Sequence, residues 1–413
     1  MKKRIALVFV WTLAVICIIG LVGGGITWFH YRKSTKVCEQ ERAIPRIDID
    51  TFGAEIVSKE DYVDCTVSIS GTEIDQYTAG IRGRGNSTWA HPKKPYRIKF
   101  DEKVSLFGEA KNKSWVLLAL YSDFSAVKDR LAFGMADALQ TDVFVPSYHY
   151  VELYINGKYN GLYLLTDQVD ENAGRTGVKE DFTAEDVEVP FLVELDAYAP
   201  DEGEEGVDWF RTDSGAYAIK YPEADERYTA EQFEYIKKYI TDVDNACKEG
   251  SLEKLSALVD IDSFIDYYIV QETMGQPEIN WKSVYMYKTK SGPMKMGPIW
   301  DFDWSAIGPS TGKTRNAYRD RIEGFHSVNN WFDLMIKNSP EFKALAGERF
   351  DEVKETLLSV IENLRNEQEI LDPYYNRNHL HWQWFRFWEN HGDYYQEVLD
   401  WCVARIEWMD TAL

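Results

Sequence analysis

Met296-Gly297-Pro298-Ile299-Trp300-Asp301-Phe302-Asp303-Trp304 sets two carboxylates two residues apart among large apolar and aromatic side chains. A Gly-Pro pair stiffens the approach to them. In an extended strand or a tight turn, Asp301 and Asp303 point the same way. That pattern suits a hard divalent cation, because Mg²⁺ keeps one or two protein carboxylates and takes its other oxygens from phosphate and water. The plainer reading is an Asp pair capping a turn inside an aromatic core. The rest of the chain decides between the two.

The chain has 413 residues and a net charge of −22. That length suggests two domains or one large bilobal unit. The charge excludes a nucleic-acid binder, which needs clustered Lys and Arg, and it disfavours docking on an anionic membrane surface. It fits a soluble domain or one with a basic substrate. Ile5 to Phe29 is one apolar run of about bilayer length, preceded by Met1-Lys2-Lys3-Arg4 and followed by Arg32, Lys33 and Lys36. It is too long for a cleaved leader and is read as an uncleaved anchor, with the bulk of the chain outside the cytoplasm. Of the five cysteines, Cys17 falls in this run. Cys38, Cys65, Cys247 and Cys402 lack zinc-site spacing, so buried free thiols are as good a reading as disulfides.

Upstream of the Asp pair lies a second informative stretch, Gly80-Ile81-Arg82-Gly83-Arg84-Gly85-Asn86-Ser87-Thr88-Trp89. Its glycines let backbone N–H groups approach an anion, and its arginines suit phosphate or carboxylate. A plain hairpin is the alternative. The basic strand Lys93-Lys94-Pro95-Tyr96-Arg97-Ile98-Lys99-Phe100 follows. A glycine-rich turn feeding a lysine-bearing strand is how kinase-type folds grip nucleotide phosphates.

Together these stretches resemble the CotH kinase family (spore-coat protein H-like). Arg82 to Trp89 with Lys93 to Ile98 is similar to its opening signature. Ile155-Asn156-Gly157-Lys158-Tyr159-Asn160-Gly161-Leu162-Tyr163 is similar to its hairpin, and Gly297 to Asp303 to its terminal motif. The resemblance runs in order from about Ile44 to Gly308, with a looser helical tail. It implies an α+β, atypical and reduced protein-kinase-like bilobal fold that transfers phosphate from ATP, with Mg²⁺ or Mn²⁺, to Ser/Thr hydroxyls of a protein. On this reading residues 1–33 are the anchor, 34–43 a polar linker and 44–413 the kinase-like domain. Its β-rich lobe is 44–200 and its mostly helical lobe 201–413.

The same resemblance implies roles. Asp301 is the metal-binding Asp and Asp303 its second. Glu278 stands where the family most often has Asp, the residue that orients the acceptor hydroxyl. Glu is one methylene longer, and a misplacement of about an ångström costs roughly a hundredfold in rate. Ser283, five residues on, holds the place of a kinase's metal-binding Asn, with Asn280 the alternative ligand. Lys94 is chosen to pair the phosphates, with Lys99 as competitor, and Arg84 to contact them. Arg82 is either structural or a phosphate contact, and Lys128 either an ion-pair partner or a phosphate contact. Asp167 is placed near the hinge where adenine docks.

Between the motifs, Asn156-Gly157 marks a hairpin turn, Ser114 to Leu120 a buried strand and Ser125 to Ala138 a helix. Helical spacing and caps recur over Ala230–Lys248, Leu252–Val259 and Ile261–Glu272, and again over Phe342–Arg365 and Tyr394–Leu413. The aromatic run His381 to Trp388 is read as lobe packing. Two rival functions stand beside the kinase: a non-catalytic surface protein in adhesion or spore and envelope assembly, and a carbohydrate-active protein using paired carboxylates.

Overall fold

The computed structural model describes residues 24–25, 27–70, 76–169, 176–222, 229–305, 321–382 and 391–413. Most of the apolar run from Ile5 to Phe29, the anchor expected from sequence, lies outside them. Among the described residues no helix is long and apolar enough to cross a membrane. Residues 27–41 form a helix, α1, so the stretch read as a polar linker is helical for most of its length.

Alternating strands come next: β1 (Arg46–Asp50), β2 (Val63–Ile69), β3 (Tyr77–Gly83), β4 (Tyr96–Val104), β5 (Asn112–Leu118), β6 (His149–Ile155) and β7 (Lys158–Asp167). They close into a barrel in the order β1-β2-β3-β4-β5-β7-β6. A parallel pairing of β6 with β1, Ile47 opposite Leu153, completes the ring. Period-2 alternation sends Ile47, Ile49, Ile81, Ile98 and Trp115 inward, and these fill the barrel interior. The β6–β7 turn holds Asn156 at φ 50° and Gly157 at φ 73°, as a tight hairpin demands. Strand β7 is buried on both faces: Tyr163 and Leu165 join the barrel core, Leu162 and Leu164 the helical one.

Helix α2 (Lys128–Ala138) lies between β5 and β6 in sequence. A second sheet follows, built from β8 (Phe191–Leu195), β9 (Trp209–Arg211), β10 (Ala216–Tyr221), β11 (Val284–Lys288) and β12 (Lys295–Met296). Its order is β12-β11-β8-β10-β9. Strand β8 of this sheet precedes residue 200 and strands β9 to β12 follow it. The later helices are α3 (Ala199–Glu202), α4 (Ala230–Glu249), α5 (Leu252–Ser256), α6 (Ile261–Thr273), α7 (Trp331–Asn338), α8 (Pro340–Trp382) and α9 (His391–Ala412). Their ends obey local chemistry. Thr229 and Gln232 form a capping box on α4, and Gly250 ends it at φ 64°. Asp260 caps α6 by accepting the Ser263 N–H at 2.9 Å.

Helix α8 joins the two cores. Phe342, Ala346, Phe350, Val353, Leu357, Ile361 and Leu364 form one buried stripe in the helical core. After Pro373 its contacts change to the barrel: Arg377 pairs with Glu152 of β6 at 3.0 Å, and Trp382 Nε1 donates to the Asn160 carbonyl at 2.8 Å. The four cysteines Cys38, Cys65, Cys247 and Cys402 are buried free thiols.

Candidate active site

The segment after β12 is pinned by aromatics on either side of Asp301. Trp300 stacks on Phe133 of α2, ring centres 6.0 Å apart, and Phe302 is fully buried. Between them Asp301 takes a left-handed backbone conformation, φ 65° and ψ 53°. Asp tolerates that region better than most residues. Two contacts hold it there: Gln276 Nε2 donates to the Asp301 carbonyl at 2.6 Å, and the Phe302 N–H donates to Asp129 Oδ1 at 2.8 Å. Phe302–Trp304 then forms a single 3-10 turn. Asp301 and Asp303 both face one cavity of about 470 Å³, with Asp129 of α2 in the same wall.

The opposite wall comes from the glycine-rich turn after β3. A Cβ on Gly83 would lie 2.4 Å from the Trp89 ring, and Gly85 holds φ 79°, so both positions need glycine. The turn carries Arg84 into the cavity, its guanidinium 5.5 Å from the centre of the Trp300 ring. Burial lowers the Arg84 pKa, while Asp301 opposes that shift. Leu118, Ala119, Leu120 and Tyr121, at and after the end of β5, supply an apolar flank.

Glu278 lies in the 3-10 turn Pro277–Asn280 that follows α6. It is buried just outside the residues that line the cavity. The Lys282 ammonium stands 2.8 Å from Glu278 Oε1 and 3.2 Å from Asp301 Oδ2. Ser283 donates to the same Asp301 oxygen at 3.1 Å. Burial, and then the charge of Asp301, push the Glu278 carboxyl up to about 7. Asp129 is raised to about 7, chiefly by burial. Asp303 is pushed well above the usual carboxylate range by burial and by Asp301, Asp129 and Glu278. Burial draws the Lys282 ammonium down, but Asp301 and Glu278 outweigh it and hold the pKa above the ordinary lysine value.

The structure thus brings together Arg84, Asp301 and Asp303, with Glu278 directly behind. It places three other expected residues elsewhere. Asn280 accepts the Val328 N–H at 2.8 Å and Asn330 Nδ2 at 2.9 Å through its one side-chain oxygen, and its amide donates to Pro277 and His326. It fastens a loop rather than facing the cavity. Lys94 donates to the Trp89 carbonyl at 2.5 Å and does not line the cavity. Its competitor Lys99 is exposed on β4. Asp167 accepts the Ser147 N–H at 2.9 Å at the end of β7, also outside the lining. Lys282, Asp129, Glu194 and Lys220 line the cavity without having been singled out. Lys282, four residues after Glu278, was within reach of a sequence reading, because that spacing puts two side chains together on a helical turn.

The cavity falls in the size range of small-molecule sites. Among the described residues no group of three or more His, Cys, Asp or Glu is arranged to hold a metal ion by itself. A cation that takes most of its ligands from phosphate and water does not require such a group. The crowding of Asp129 and Asp303 around the charge of Asp301 suits one.

The fold and cavity define a mixed α+β protein that sets glycine-turn and loop cations against buried acids. The chain belongs to the CotH kinase protein family, whose pattern it matches over residues 81–409. No curated protein matches it.

Proposed function

We propose that the protein is an atypical kinase that uses ATP with Mg²⁺ or Mn²⁺ to phosphorylate Ser/Thr hydroxyls of an envelope or coat protein. The observation that carries this reading is the single cavity joining Arg84 of the glycine-rich turn to Asp301 and Asp303. Asp301 and Asp303 would hold the metal, which when bound supplies positive charge at the nucleotide's phosphate oxygens. Arg84 adds a planar fork that suits phosphate. Glu278, with a pKa near neutrality, suits the removal of a hydroxyl proton. The kinase-like bilobal arrangement, the N-terminal membrane anchor and an extracytoplasmic site are parts of the same proposal.

Calorimetry on the full chain tests it. ATP is expected to bind in the presence of Mg²⁺, and Asp301→Ala is expected to abolish that binding. Equal binding by the variant, or none by either protein, overturns the reading. One observation favours a second reading, a non-catalytic surface protein of adhesion or assembly. Glu278 replaces the family's usual Asp, lies outside the cavity lining, and has one oxygen occupied by Lys282. Metal-dependent ATP binding without transfer to any protein acceptor would select it.

A further inference from the structure

Lys282 occupies an unusual place. Its ammonium lies between two carboxylates from different elements, Glu278 of the turn after α6 and Asp301 of the turn after β12. Glu278 Oε2 has no hydrogen-bond partner. Asp301 Oδ2 already receives both Lys282 and the Ser283 hydroxyl. The side chain of Lys282 is one-fifth exposed and faces the cavity. A compact ammonium on a flexible four-carbon stem can hold such a position and can also leave it.

We propose that Lys282 is a built-in counter-cation: it binds Glu278 and Asp301 together in the nucleotide-free protein and competes with the divalent cation for Asp301. The inference rests on the phosphotransfer reading above and deepens it. Lys282 on Asp301 weakens the hold on a metal that arrives alone. Once released, the ammonium remains in the cavity wall, where an anionic phosphate gives it a new partner. Metal and nucleotide then assist each other's binding, and by linkage the assistance is equal in both directions. An empty site therefore stays intact, and metal alone fills it only weakly.

Mn²⁺ binding, read by electron paramagnetic resonance with and without a non-hydrolysable ATP analogue, tests this on the full chain. The wild type should bind Mn²⁺ weakly alone and more tightly with the analogue. Lys282→Met should bind Mn²⁺ alone about tenfold more tightly and lose most of the gain from the analogue. Lys282→Gln, which removes the charge but keeps an N–H donor, should act alike and serves if the Met variant fails to fold. Lys282→Arg should retain the wild-type pattern. Lys220→Met, which removes a charge paired with Glu194 at 2.9 Å in the same cavity, should tighten Mn²⁺ far less.

Unchanged or weaker Mn²⁺ affinity in Lys282→Met and Lys282→Gln overturns the inference and leaves the kinase reading standing. A gain of equal size with and without the analogue also overturns it, because that is the effect of net charge alone. No Mn²⁺ binding by any variant removes both.

Discussion

Asp301 shows how one residue organises the cavity. Its left-handed backbone turns the carboxylate away from the two aromatics that anchor it, so Trp300 and Phe302 bury while the acid between them faces the opening. Glu278 is the complementary case, a carboxylate carried into the interior. Its pKa rises from 4.5 to about 7, so the folded protein keeps a proton that the unfolded chain has lost. Stability therefore falls as pH rises through that interval, by roughly 3 kcal/mol from this group. Asp129 acts in the same sense. Glu278→Gln is expected to flatten the urea-unfolding stability profile between about pH 5 and about pH 8 in metal-free protein. It is also expected to lower phosphate transfer by about 10²–10⁴-fold with ATP binding retained. An unflattened profile would show that Glu278 is charged at no cost. At this scale the sequence was informative about Asp301, Asp303 and Arg84, whose local motifs require a particular backbone. Lys94, Asn280 and Asp167, which the resemblance assigns to phosphate, metal and hinge, lie outside the cavity lining. The direction of each side chain depends on contacts from Trp89, from the loop at 326–330 and from Ser147, all outside its own motif.

At the scale of elements, the contact between β7 and α8 is the most specific. Asn378 Oδ1 accepts Lys93 Nζ at 2.7 Å and the Leu162 N–H at 3.0 Å. The Lys93 ammonium also donates to the Leu162 carbonyl and is fully buried, which lowers its pKa. Gly161, at φ 125°, has no room for a side chain: an added Cβ would lie 2.6 Å from Asn378 Oδ1 and 2.7 Å from Lys93 Cε. Gly161→Ala should destabilise the protein by about 2–4 kcal/mol. Asn378→Leu should cost about 2–3 kcal/mol by stranding a buried ammonium and an N–H. Lys93→Met added to Asn378→Leu should recover at least about 1 kcal/mol in a double-mutant cycle, and strictly additive losses would refute the coupling. Lys93 and Lys94 are neighbours in an extended segment, whose side chains alternate; one enters the barrel–helix contact and the other packs on Trp89. The hairpin at Asn156-Gly157 and the helices α4, α6 and α9 were legible because turn chemistry and apolar period are local. The second sheet was not, since β9 and β12 have three and two residues. The amphipathic pattern of α8 reads only as far as Arg365, because Tyr, Arg, Asn and His replace the apolar stripe beyond it.

Across the whole molecule, buried ionic contacts fix loops that carry chemistry. Arg405 of α9 and Glu272 of α6 are both fully buried and meet at 3.1 Å. Glu272 also accepts the N–H groups of His326 and Ser327 at 2.7 and 2.6 Å. The same loop receives Asn280, so the turn bearing Glu278 is referenced to α9. Glu272→Ala is expected to cost about 3–5 kcal/mol in urea unfolding, because it leaves Arg405 buried without its counter-charge. A loss below about 1 kcal/mol would mean that the loop relaxes to let water in. Barrel closure was hidden in the sequence for a reason that belongs to this scale: β1 meets β6 across about a hundred residues, a pairing that no local pattern encodes.

Helix α8 has one more consequence. At 1.5 Å per residue its 43 residues extend over roughly 65 Å, packing on the helical core as far as Tyr375 and on the barrel from Arg377. The cavity takes one wall from each of those bodies, so the one helix that packs on both ties the two walls together. Ser87 and Thr88 of the exposed 3-10 turn Ser87–Ala90 lie at the rim where those two walls meet.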